Sequence, residues 1–163
     1  MNVRNAETNF TPAGWHSVIP RIVAQHAEQL VEFLKHVFNA TGEYRTDRPA
    51  ILTIGDSMVM ISEAGIRDPT PAFLYVYVAD ADITYQRALD AGARSLEEPS
   101  DTPYGDRRGM VQQAIQNRGR DDRVAEDRAP FAVTLVGCQD DAAPFVTCAD
   151  QLEEDRRAEF IQR

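Results

Sequence analysis

The chain has 163 residues, 43% of them hydrophobic, enough for one compact domain with a core or two small half-domains sharing one. Its 26 acidic residues outnumber 17 Lys and Arg, giving a formal charge of −9; a sequence-independent grip on nucleic acid, which needs clustered cations, is excluded. No basic-then-apolar leader opens the sequence and no run of roughly 18 apolar residues occurs, so a cytoplasmic protein with no membrane partner is expected.

Residues 1–14 form a polar leader, and residues 15–23 read as a strand ending in Val23-Ala24. Ala27, Leu30, Phe33, Leu34, Val37 and Phe38 then recur at three- and four-residue spacing, the apolar face of a helix that ends near Asn39. A short strand is expected over 41–46. Residues 50–54 and 58–62 are apolar runs separated by Gly55-Asp56-Ser57, the chemistry of a tight hairpin. The first half, 15–66, is thus strand, helix and three strands, and Pro69 and Pro71 mark the link to the second.

The second half, 72–112, restarts with residues 73–78, an aromatic and β-branched run that again ends in Val-Ala, at Val78-Ala79. Asp80 or Asp82 is the N-cap of the next helix, Ile83, Ala88 and Leu89 its buried stripe, and Gly92 its terminator. Residues 94–98 and 108–112 are strands flanking a turn-rich loop over 99–107. A repeated opening of this kind is a fold signature, and the cleft between two halves is a natural place for a ligand.

The ordered series formed by residues 23–45, Ile54-Gly55-Asp56-Ser57, residues 74–93 and above all Tyr104-Gly105-Asp106-Arg107-Arg108-Gly109 resembles the vicinal oxygen chelate superfamily. Within it, the likeness is to the glyoxalase and bleomycin-resistance branch that includes PhnB-like proteins. The resemblance covers about residues 15–112. It implies an α+β fold of paired βαβββ modules forming a curved, cup-shaped mixed sheet, and a homodimer as the working partner arrangement. In metal-dependent members a His or Glu stands on the first strand of each half, with carboxylate ligands on late strands. Counted back from the helix starts, those positions fall here on Ile19 and Phe73, which cannot bind a metal. His16 sits an odd number of residues from the expected position, on the opposite face of a regular strand. His26 and His36 read as surface residues, and Glu63 as a solvated strand end. No metal and no cofactor are therefore expected.

What remains is an apolar concave surface with aromatic walls and a few polar anchors. The ligand-binding residues expected from the sequence are Trp15, Tyr75, Tyr77, Tyr104, Asp106 and Arg107. Tyr75 and Tyr77 share one face of their strand with Phe73, while Arg107 and Arg108 offer forked donors to a carboxylate, phosphate or similar anion, and Asp106 can neutralise one of them. Ser17 and Ser57 lack a base or elbow motif, and no glycine-rich phosphate loop or dinucleotide fingerprint occurs.

Residues 113–163 form a divergent charged tail in which Arg and Asp crowd 118–128 and only 131–136 has strand character, as a last strand of the second half after an insertion. The alternative is a tail that contributes nothing to the sheet. Cys138 and Cys148 lie here, close enough to bridge only a local loop, and read as reduced thiols. The function expected is metal-free binding of a small organic molecule, such as an antibiotic, in a cleft or dimer groove. The alternative is a metal-dependent lyase or dioxygenase of the glyoxalase type.

Overall fold

The computed structural model describes residues 11–103, 105–113 and 131–138. They form seven strands and two helices: β1 (Arg21–Ala24), α1 (Ala27–Phe38), β2 (Ala50–Ile54), β3 (Ser57–Glu63), β4 (Ala72–Val78), α2 (Ala81–Asp90), β5 (Arg94–Asp101), β6 (Asp106–Gln113) and β7 (Phe131–Cys138). The strands make two mixed sheets, ordered β1-β3-β2 and β4-β7-β6-β5. In each sheet the strand before the helix pairs in parallel with the last strand of its half, β1 with β3 and β4 with β7, and the remaining pairs are antiparallel. The second half is a βαβββ module, and the first repeats its order with the strand after the helix reduced to a bridge.

The first module departs from the sequence expectation at two strands. The strand expected over 15–23 begins only at Arg21, because Pro20 has no N–H to give to a ladder; its carbonyl instead accepts from the Met60 N–H at 2.9 Å. His16 consequently lies before the strand, exposed, and alternation along a strand does not apply to it. The strand expected over 41–46 is reduced to one bridge, in which Thr41 and Thr53 exchange N–H···O bonds of 3.0 and 2.9 Å. Gly42 follows with φ 132, packed so closely on Ile51 that the chain leaves the sheet there. The β2–β3 hairpin closes through a two-residue turn with Gly55 at φ 58, as its composition requires.

Inner faces of both sheets and both helices share one core. Ile22, Leu52, Val59 and Ile61 of the first sheet, Val111, Val133 and Leu135 of the second, and Leu30, Val31, Leu34, Val37, Tyr85 and Ala88 of the helices form a single buried cluster. The modules are also stitched by polar contacts, from the Arg87 guanidinium to the Val37 carbonyl at 3.1 Å and from the Gln113 amide to the Gln29 carbonyl at 3.3 Å.

Helix α2 starts at Asp80, whose carboxylate accepts from the Ile83 N–H at 2.8 Å. Its buried face is Ala81, Thr84, Tyr85 and Ala88, spaced three and four apart, and this phase leaves Ile83 58% exposed instead of in the stripe. Helix α1 ends at Asn39 in the left-handed conformation, as its sequence implies. Its start is unusual. His26 occupies the cap position with φ 60 and no side-chain cap, and the free N–H groups of His26 and Ala27 donate instead to the two oxygens of Glu63, at 2.9 and 2.7 Å.

β7 lies inside the second sheet, paired with β4 over residues 131–137 and with β6 over residues 131–138. The link that precedes it, residues 114–130, lies outside the described residues, as do 139–163 with Cys148 and the charged terminal segment.

Candidate functional site

Side chains alternate across a strand, so the register of the second sheet sorts its residues into two faces. The face toward the core carries Leu74, Val76, Phe131, Val133, Leu135, Gly109 and Val111. The opposite, open face is built in rows. Tyr77 of β4 stands beside Val136 of β7, Arg108 of β6 and Ser100 of β5; Tyr75 beside Thr134, Met110 and Glu97; Phe73 beside Ala132, Gln112 and Arg94.

Phe73, Tyr75 and Tyr77 are 56%, 50% and 64% exposed, an aromatic wall along the outer strand of the sheet. The rings of Tyr75 and Tyr77 meet edge to face, with centroids 5.6 Å apart and planes at 67°. Across the sheet, on β6 and β5, is a polar wall. A register shift between Ser95 and Glu97 in β5 places Glu97, not Leu96, opposite Met110, a bulge re-aiming a side chain. There the Arg108 Nη2 donates to both Glu97 oxygens, at 3.1 and 3.4 Å, and Arg94 Nη2 to Gln112 Oε1 at 2.7 Å. At the usual strand spacing, β4 and β6 are about 10 Å apart, and between them Thr134 and Val136 of β7 are buried, so the exposed surface of this face is its two walls.

The six residues singled out in the sequence do not all converge here. Tyr75 and Tyr77 lie on the open face. Tyr104 lies outside the described residues. Asp106 has the parity of Arg108, at the end of β6; its backbone closes the β5–β6 hairpin, its N–H donating to Thr102 Oγ1 at 3.2 Å and its carbonyl accepting from the Thr102 N–H at 2.7 Å. Trp15 is on neither sheet, in a turn where its N–H donates to the Pro12 carbonyl.

Arg107 is on the opposite face from the tyrosines, one residue out of step with Arg108. Its Nε and Nη2 bind the two oxygens of Asp82 in the first turn of α2, its Nη1 reaches Asp101 at 2.8 Å, and Nη2 also reaches the Pro99 carbonyl. The carboxylates on Arg107 are thus Asp82 and Asp101 and not its neighbour Asp106. The bond to Arg107 holds the Asp82 carboxyl below the usual aspartate range, and the two carboxylates raise the guanidinium still further above its ordinary value. Arg107 ties the helix to the hairpin. The sequence singles out Arg107 as the ligand-binding arginine; the structure turns Arg107 to the inner face and leaves Arg108 to the open one.

The same geometry offers no complete donor set for a transition metal among the described residues. Phe73, at one expected ligand position, offers a ring to the open face, and Ile19, at the other, precedes β1. Glu63 spends both oxygens on the start of α1. His16, His26 and His36 are exposed, and among the described residues no three His, Cys, Asp or Glu side chains cluster as metal ligands would. The described residues do not fit a metal site.

Fold and site define a two-module α+β protein whose second sheet presents an open face of mixed aromatic and polar character. The chain belongs to the Glyoxalase/Bleomycin resistance protein/Dioxygenase superfamily, whose sequence profile matches residues 16–123. Among solved structures it resembles TioX from Micromonospora sp. ML1, with 22% identity over 81% of this chain and 100% of that one, at a TM-score of 0.51. It also resembles the genomically encoded fosfomycin resistance protein FosX from Listeria monocytogenes, with 14% identity over 74% and 93% of the two chains and a TM-score of 0.51. A third likeness is to the hypothetical protein SA1046 from S. aureus, 14% identical over 76% and 94%, with a TM-score of 0.53. At these identities the likeness is one of fold. No protein of curated function matches the sequence. No helix among the described residues is long and apolar enough to cross a membrane.

Proposed function

We propose that this protein binds a small organic molecule on the open face of its second sheet without a metal, as a sequestering protein of the resistance type, with an antibiotic as the class of molecule sequestered. The observation that carries the reading is the exposed aromatic row Phe73, Tyr75, Tyr77, facing polar side chains across the sheet. An isolated soluble chain gains nothing from leaving three large rings in water, whereas a flat ligand stacked on them removes apolar area from water at about 25 cal/mol per Å². The fold is shared with FosX, a fosfomycin resistance protein, which is consistent with a resistance role. The Tyr104–Gly109 segment supports placement in the PhnB-like branch.

The working unit in this proposal is a cytoplasmic homodimer. β4 is an outer strand of seven residues with no charge, proline or bulge to discourage pairing, and its outer edge has no strand partner among the described residues. A second copy adding a strand there would extend the sheet and wall the aromatic row. Sedimentation equilibrium tests this, and a chain that stays monomeric at the highest concentration reached refutes it.

For binding, a thermal-shift screen of flat antibiotics is the direct test, since a ligand at 100 times its Kd adds about 2.7 kcal/mol. Hits that lose their effect in Phe73→Ala and Tyr77→Ala support the site. A stoichiometric metal retained after dialysis would overturn the metal-free reading in favour of a metal-dependent lyase or dioxygenase.

A further inference from the structure

From the contrast between the two adjacent arginines we infer that the open face selects a flat aromatic ligand carrying a carboxylate or similar anionic group, received by Arg108 with Glu97 as its resident competitor. The inference rests on the small-molecule reading above and adds the ligand's charge to it.

Arg107 is saturated: Nε, Nη1 and Nη2 all have protein acceptors. Arg108 is not. Among the described residues it is held through Nη2 alone, by Glu97, which leaves Nε and Nη1 without a protein partner. A guanidinium presents its strongest recognition as a fork, two parallel N–H groups to two oxygens, and the contact with Glu97 uses a single nitrogen for both oxygens. An incoming carboxylate that takes the fork makes a better pair than the one it meets. Glu97 and Arg108 are both about half exposed, so exchange costs little desolvation.

The direction of charge follows from the donors left on Arg108. Arg94 and Arg108 flank Glu97 along the polar wall, Arg94 is held by the neutral amide of Gln112, and Asp106 shares their face at the end of β6. The aromatic row and Arg108 stand on strands about 10 Å apart, a span that a flat aromatic acid can bridge from the tyrosine rings to the guanidinium.

Three matched probes test this by isothermal titration: 2-naphthoate, its neutral isostere 2-naphthamide, and 2-naphthylmethylammonium. The wild type is expected to bind naphthoate at least tenfold more tightly than naphthamide, and the ammonium more weakly than either. Arg108→Gln should abolish the preference for naphthoate while leaving naphthamide unchanged. Glu97→Gln, which frees the guanidinium, should strengthen naphthoate several-fold; a pair that served structure alone would make both variants weaken it. Tyr77→Ala should weaken all three probes. Equal binding of acid and amide, tighter binding of the ammonium, or a loss of naphthoate affinity in Glu97→Gln overturns the charge assignment; sensitivity to Tyr77→Ala in those cases leaves the binding reading standing. No binding of any probe at millimolar concentration, or binding indifferent to Tyr77→Ala, counts against both.

Discussion

Leu135→Ala is the sharpest test of the architecture, because β7 follows a long insertion and yet is paired on both sides. Leu135 is fully buried in the common core and stands opposite Gly109 on one neighbour and Val76 on the other. Truncation to Ala removes three buried carbons, about 2.4 kcal/mol of transfer free energy, and leaves a cavity that a residue between two hydrogen-bonded strands cannot collapse to fill; the total is about 3–4 kcal/mol. For a domain of this size that is a fall in Tm of about 10 °C. Ala132→Ser, on the same strand but half-buried on the open face, should cost less than about 1 kcal/mol. Urea unfolding followed by circular dichroism reads both. A Leu135→Ala loss below about 1 kcal/mol with an unchanged m-value would refute the central placement of β7. So would cooperative folding of a chain ended after Gln113, which should fail because it strips β4 of its only described strand partner.

Glu63→Ala removes the acceptor for two N–H groups at the start of α1 and should cost about 1–2 kcal/mol in the same assay, with Glu63→Gln intermediate because it keeps one oxygen but loses the charge at the positive end of the helix. Asp82 has its folded-state carboxyl pKa depressed by Arg107, so its contribution is fully present above the ordinary aspartate range and is lost as pH falls through the lower folded value. Asp82→Asn should therefore flatten the decline in urea midpoint between pH 5 and pH 3; an unchanged decline would show that the pair does not hold in solution. Gly42→Ala places a Cβ against the Ile51 carbonyl oxygen at a positive φ and should cost about 2–3 kcal/mol, whereas Gly55→Ala, with open space around it, should cost only about 1 kcal/mol of backbone strain.

What could be read from the sequence depended on whether the deciding contact was local. The β2–β3 turn, the Asp80 cap and the end of α1 at Asn39 are written in a few consecutive residues, and they form as those residues dictate. The start of α1 is not. His26 is a poor cap and its sequence gives no substitute; the acceptor is Glu63, 37 residues away, delivered because β3 runs parallel to β1 and ends beside the helix. A residue that reads as a solvated strand end is in fact the helix cap. The missing strand after α1 fails for a similar reason, since the packing of Gly42 on Ile51 is visible only once β2 is in place.

The site was legible where period-two alternation could be anchored and illegible where it could not. Phe73, Tyr75 and Tyr77 alternate with Leu74, Val76 and Val78, and both sets are apolar, so the sequence gives two faces and the core decides which is open. For Arg107 and Arg108 the loop of 99–107 obscured where the strand begins, and either arginine could have faced the ligand. The signal that separates them is Val111. It is fully buried and stands four residues after Arg107, an even interval that puts Arg107 on the core side of β6 and Arg108 on the open side. Once that parity is fixed the acids around it fall into place. Asp82, in the first turn of α2, can reach only the inner arginine, and Glu97, brought into line by the bulges of β5, only the outer one. The inner pair fixes the helix to the hairpin, and the outer one stands half-exposed on the opposite face.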